Sequence, residues 1–174
     1  AGAEVMTQLA QTNAWMPPDI ATYDIIKVME DWMAGKLAMM ITWPPFGRWS
    51  EGVGLTTEQL AWVPETHVAG KVGYALPPGA RHIQAGGFAL GVASDSPNKE
   101  AAYLFIQWLN SPEISLQRVM LPYALRDPFR KSHFESPLYL SLWPSAPEYL
   151  RALRDASVTG QYELGIPGAN DYNL

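Results

Sequence analysis

The chain has 174 residues, 48% of them apolar, so it can bury a core and is not intrinsically disordered. Its net charge of −5 at pH 7, with Lys and Arg scattered, argues against nucleic acid and gives no sign of an anionic membrane partner. Zero cysteines exclude disulfides, thiolate metal sites and cysteine nucleophiles, and no apolar run is long enough to span a bilayer.

The N-terminus lacks the charged, apolar and small-residue succession of a signal peptide. It opens on Val5, Met6, Leu9 and Ala10, a helical stripe already under way, so the chain reads as a piece of something longer. Asn13 and Pro17-Pro18 break that stripe. Asp24 caps a second predicted helix with Ile25, Val28, Met29, Trp32 and Met33 on one side, and Gly35 stops it. Residues 36–42 predict a short apolar strand that runs into Trp43-Pro44-Pro45-Phe46-Gly47-Arg48-Trp49. Two adjacent prolines remove donors and fix φ, so residues 43–49 are expected to form an irregular loop. Residues 57–62 predict one or two helical turns, and residues 72–76 a strand stopped by Pro77-Pro78-Gly79. A polar link through Arg81 and His82 and a Gly86-Gly87 pair lead into a third strand at 88–93.

Ser96 with Pro97 starts the clearest helix, in which Ala101, Leu104, Phe105, Trp108 and Leu109 share one face. Ser111-Pro112-Glu113 repeats the start signal for a helix to about Met120. Pro122 and Pro128 bracket a link containing Arg126, and a Pro-punctuated helical region follows, with a helix at about 147–156. The stripes carrying Trp32 and Trp108 read as core.

Catalytic signatures are weak. His67, His82 and His133 stand at unrelated spacings, so no metal or cofactor is expected. There is no G-x-S-x-G, and Gly52-Val53-Gly54 lacks the lysine and flanking elements of a phosphate loop. Seven Trp, eight Tyr and five Phe, several Trp beside Pro, suit stacking on the C–H faces of a sugar. Glycoside hydrolysis would need two carboxylates across a cleft. Glu30-Asp31 point apart on a helix, and Glu51, Glu113, Glu135 and Glu148 carry turn, cap or solvent-face signals. A carbohydrate-active hydrolase stays the alternative, and a non-catalytic interaction module is the third reading.

Five segments in order carry a resemblance. They are Asp31 to Pro44, Tyr74-Ala75-Leu76-Pro77, Gly86 to Val92, Ser96 to Glu113, and Pro122 to Arg126. Together they resemble family 1 extracellular solute-binding proteins, the group that includes maltose-binding protein, over about residues 20–130. The resemblance implies an α/β fold, a type II periplasmic-binding-protein-like fragment that is mostly second lobe, helix-rich with a few short strands. It implies that 1–80 belongs to the second lobe, that 81–125 crosses into the first, and that 126–174 returns. The crossings would fall near residues 81–86 and 121–126, turn-rich links able to absorb hinge rotation.

The resemblance further implies the binding component of an ABC importer, not an enzyme, capturing a sugar, oligosaccharide or polyol and working with permease subunits in the membrane. Its place would be periplasmic or extracellular, free or held by an anchor N-terminal to this chain. The expected ligand contacts are Trp43, Phe46 and Trp49 as stacking faces, Arg48 and Arg126 as donors, and Gly86 and Gly87 as points of close backbone approach. Without the rest of its first lobe, the fragment is expected to self-associate through the stripe at 97–109.

Overall fold

Residues 2–77 and 88–161 are described in a computed structural model of the chain. Eight α-helices succeed one another among them: α1 (Gly2–Thr12), α2 (Ile25–Met33), α3 (Pro44–Ser50), α4 (Lys99–Leu109), α5 (Pro112–Met120), α6 (Lys131–Phe134), α7 (Pro137–Leu140) and α8 (Ala146–Thr159).

α2 forms where the sequence places it. Asp24, in extended backbone, accepts the Lys27 N–H at 2.8 Å and caps the first turn. At the far end Gly35 sits at φ +75°. Its N–H reaches the Trp32 carbonyl and the Lys36 N–H reaches that of Asp31, each at 2.9 Å. This bond pair is a Schellman stop, and a side chain at Gly35 would strain it.

α3 corrects the expectation of an irregular loop at 43–49. Pro44 and Pro45 fill the first helical positions. The N–H groups of those positions have no acceptor within a helix, so the prolines start this one rather than forbid it. The helix then divides the core in two. Phe46 and Trp49 join Met29, Met33, Leu60 and Val63 in one cluster. The second cluster holds Val119 of α5, Tyr139 of α7, Trp143, and Ala146, Tyr149 and Leu150 of α8. Gly47 faces this second cluster: a Cβ there would lie 2.8 Å from the Tyr74 ring and 3.2 Å from that of Tyr149. Only bare backbone lets α3 and α8 approach so closely.

α1 and α4 are different, because neither buries a single residue. Trp108, expected in the core, is 54% exposed, and Leu104 and Phe105 are as open. The apolar stripe is present, but no layer for it to pack on lies among the described residues. Trp32 is half-buried against the first cluster. α4 also starts at Lys99 rather than at Pro97, because the Ser96 hydroxyl accepts the Asn98 N–H at 3.2 Å and holds a turn there.

The three expected strands need the second correction. None of 36–42, 72–76 and 88–93 is a β-strand. Residues 39–43 keep a strand's alternation all the same: Met39, Ile41 and Trp43 are exposed while Met40 packs on the first cluster. A strand needs a neighbour for its N–H and C=O groups, and none lies among the described residues. The observed fold is helix-rich, and the sheet half of the α/β expectation is not seen among the described residues.

Candidate functional site

The expected ligand residues separate according to the two faces of α3. Trp43 is its N-cap, at φ −63° and ψ 140°, with 57% of its surface open. Phe46, Arg48 and Trp49, expected beside it at the ligand, are instead 2%, 1% and 0% exposed. The reason is periodicity: once 44–50 is a helix, Phe46, Trp49 and Ser50 share one inward face and Arg48 lies on the other. The Phe46 and Trp49 rings pack 5.4 Å apart inside the first cluster.

Arg48 is spent inside the protein. One Nη donates to the Val119 carbonyl at 2.9 Å and to the Tyr139 hydroxyl at 3.4 Å, and the other donates to the Ala124 carbonyl. The Trp49 indole donates to the Pro122 carbonyl at 3.1 Å. Of the residues expected in 43–49, only Trp43 offers an open ring face. Arg126 is exposed, with no ion pair among the described residues and no described contact to Trp43. Gly86, Gly87 and the crossing at 81–86 lie outside the described residues.

At the other end of α3 lies an open cleft of about 830 Å³, lined among others by Glu51, Gly70, Val72, Ser145, Glu148 and Arg151. It brings together two carboxylates that the sequence keeps far apart, which is the arrangement the hydrolase reading would need. Both are occupied. Glu51 accepts from the Gly70 N–H at 2.7 Å and from the Ser145 hydroxyl at 2.8 Å, and Glu148 accepts from the Tyr74 N–H at 3.2 Å. They fasten the 70–74 segment to α3 and α8. Burial, with the Glu51 charge nearby, pushes the Tyr74 hydroxyl above the usual tyrosine range. That hydroxyl donates to the Gly47 carbonyl at 2.9 Å, so it is not poised as an acid. Arg151 is exposed in this cleft and forms no ion pair among the described residues.

A third cluster escaped the sequence reading. Asp31, buried on α2, accepts from Tyr23, from Lys36 at 2.9 Å and from Lys27 at 3.1 Å. The Tyr23 hydroxyl, then the two ammonium groups, hold the Asp31 carboxyl well below the usual carboxylate range. The same bond pushes Tyr23 up to about 12. The i, i+4 spacing of Lys27 and Asp31 was the signal available for it. The cluster fastens α2, with its three donors favouring the ionised form of the Asp31 carboxyl. No group of His, Asp or Glu among the described residues could hold a metal.

Set beside known proteins, the chain is 27% identical over 156 residues to the probable amino-acid ABC transporter periplasmic-binding protein y4oP of Sinorhizobium fredii. That match covers 88% of this chain and 32% of the relative, so the chain spans about a third of the relative's length. No solved structure matches it. No helix among the described residues is long and apolar enough to cross a membrane. Residues 2–115, well over half the chain, match the bacterial extracellular solute-binding protein family, and the chain belongs to that family.

Proposed function

We propose that this chain is the C-terminal part of the substrate-binding component of an ABC importer, working outside the cytoplasmic membrane and delivering a sugar or polyol to permease subunits. The observation that carries the ligand class is Trp43. A proline pair fixes the backbone beside it, and its ring stays open in a chain that buries its other α3 aromatics. Trp43 is the stacking face of the reading, Arg126 its exposed donor, and Gly86 and Gly87 its points of close backbone approach. Binding without turnover fits the two cleft carboxylates, both already engaged by backbone and hydroxyl donors.

The two-lobe organisation is part of the same proposal. Residues 1–80 and 126–174 form the second lobe and 81–125 crosses to the first. The bare face of α4 supports this reading, since it is the surface a first lobe would cover.

A second reading, an amino-acid ligand, has one observation in its favour: the described activity of the relative from Sinorhizobium fredii. Thermal melting of the full-length protein against sugars, polyols and amino acids separates the two, because a ligand that binds the folded state raises its melting temperature. Sugars or polyols are expected to do so, and Trp43→Ala should weaken their binding by roughly 1–3 kcal/mol with little loss of fold. A response to amino acids alone selects the second reading. Steady glycoside cleavage by the purified protein overturns both.

A further inference from the structure

α4 buries nothing along its length, yet its C-terminal end is tied to the rest of the protein. Arg118 of α5 donates to the Leu109 carbonyl at 3.0 Å, and Arg130 donates to the Asn110 carbonyl. These are carbonyls of the last turn and C-cap of α4, which a helix leaves without internal partners and which carry its partial negative charge. Arg130 is also stacked 5.4 Å over the Phe129 ring, which fixes the direction of its fork. The same device recurs one helix later. Arg48 donates to the Val119 and Ala124 carbonyls at and beyond the end of α5, and Trp49 donates to the Pro122 carbonyl between them. Gly54, at φ +78°, lies so close that a Cβ would stand 3.1 Å from the Pro122 Cα. The 119–124 link is therefore held from several sides, and α5 moves with the body. Across the junction of α4 and α5 at Asn110 and Ser111, the Ser111 N–H bond to the Trp108 carbonyl at 3.0 Å is joined by the side chains of Arg118 and Arg130.

We infer that Arg118 and Arg130 are positioning residues that set the angle of α4 against the body, making residues 110–111 the pivot, while Arg48 and Trp49 lock the following link. The pivot thus falls ahead of the 121–126 link that the sequence marks as a hinge. In the two-lobe reading above, the same arginines would limit how far the lobes rotate, and that consequence rests on that reading. The geometry itself does not.

The chain has no cysteine, so two spin labels can be placed cleanly, at Lys99→Cys on the exposed start of α4 and Ser157→Cys on the exposed side of α8. Their distance distribution is read by pulsed electron resonance with the labelled chain diluted in unlabelled chain. The unmodified background should give one narrow distribution. Arg118→Gln with Arg130→Gln should widen it about twofold while the melting temperature of the α8 body holds, the sign of a freed local unit. Arg118→Lys with Arg130→Lys, which keeps a charge and a donor at each site, should restore the narrow form. An unchanged width in the glutamine pair, or a wide distribution in the unmodified background, overturns the inference. If the glutamine pair does not fold, the lysine pair decides: narrow supports it and wide refutes it.

Discussion

Two helices of this chain, α3 and α4, use apolar residues in opposite ways. Around α3, one seven-residue helix has Phe46 and Trp49 sealed in one cluster and Arg48 in another. In α4, eleven residues with a clear apolar stripe leave Tyr103, Leu104, Phe105 and Trp108 more than half exposed. Composition does not separate the two; the presence of a partner layer does. An amphipathic pattern tells which face seeks burial, and the rest of the structure decides whether it finds it.

The sharpest way to test the contrast is to remove one Trp from each region. Trp49→Ala opens a cavity in a closed cluster and loses the bond to Pro122, so it should cost roughly 3–5 kcal/mol, enough to unfold a marginal chain. Trp108→Ala should change the chain's own stability by less than about 0.5 kcal/mol, since little is packed on that ring. Urea unfolding of the two variants side by side measures both. Equal losses would mean that α4 is covered in solution.

What covers it is the next question. Phe88, Tyr103, Phe105 and Trp108 are 104%, 56%, 55% and 54% exposed, and the Phe105 and Trp108 rings lie 5.8 Å apart on α4. Expressed alone, the 174-residue chain is expected to self-associate through the exposed face of α4. Phe105→Glu with Trp108→Glu should weaken that association by about 30-fold or more, the loss of a central aromatic anchor. Light scattering across a concentration series reads the change. A monomer at every concentration would remove the association.

The same contrast explains what the sequence made legible. Helix starts and stops were readable because their signals are local: the Asp24 side chain, Gly35 and Ser111-Pro112 each act within a few residues. The family resemblance was readable for the same reason, as short segments in a fixed order. Burial was not. Phe46 and Trp49 were assigned to a ligand because Pro44-Pro45 looked like a helix breaker, when position within the helix makes them its start. The cleft pairing Glu51 with Glu148 depends on α8 returning to α3, a long-range contact with no local signature. The strands at 36–42, 72–76 and 88–93 failed for the opposite reason: their local pattern is real, but a sheet is a property of several segments at once.

The smallest expected effect lies in the body, at one of the three histidines that stand at unrelated spacings in the sequence. His133 of α6 is fully buried. Its Nε2 lies 3.0 Å from the Ser115 hydroxyl, and its Nδ1 accepts the Phe129 N–H at 3.5 Å. Ser115 in turn donates to the Pro112 carbonyl at 3.2 Å, so the network is complete with Nε2 protonated and Nδ1 bare. A second proton would have to enter at Nδ1, against the Phe129 N–H. Burial, and then the nearby Arg130 charge, accordingly push the His133 pKa below the ordinary 6.5. In the unfolded chain the ring protonates as the pH falls through 6.5, while in the folded chain it resists. At this group the unfolded state therefore binds more protons in that window, and its contribution to stability drops as the pH falls below 6.5 toward the lower folded value. Asp127, whose carboxyl burial pushes up to about 6, works with the opposite sign. The Asp31 carboxyl is shifted downward as well, but from a starting value of 3.8, so its contribution is lost only at lower pH and does not overlap. From about pH 8 to pH 5 the melting temperature should fall more, or rise less, than that of His133→Gln, even if the variant starts from a lower melting temperature. The same pH profile in His133→Gln would assign the pH dependence to another group and leave the histidine a packing residue alone.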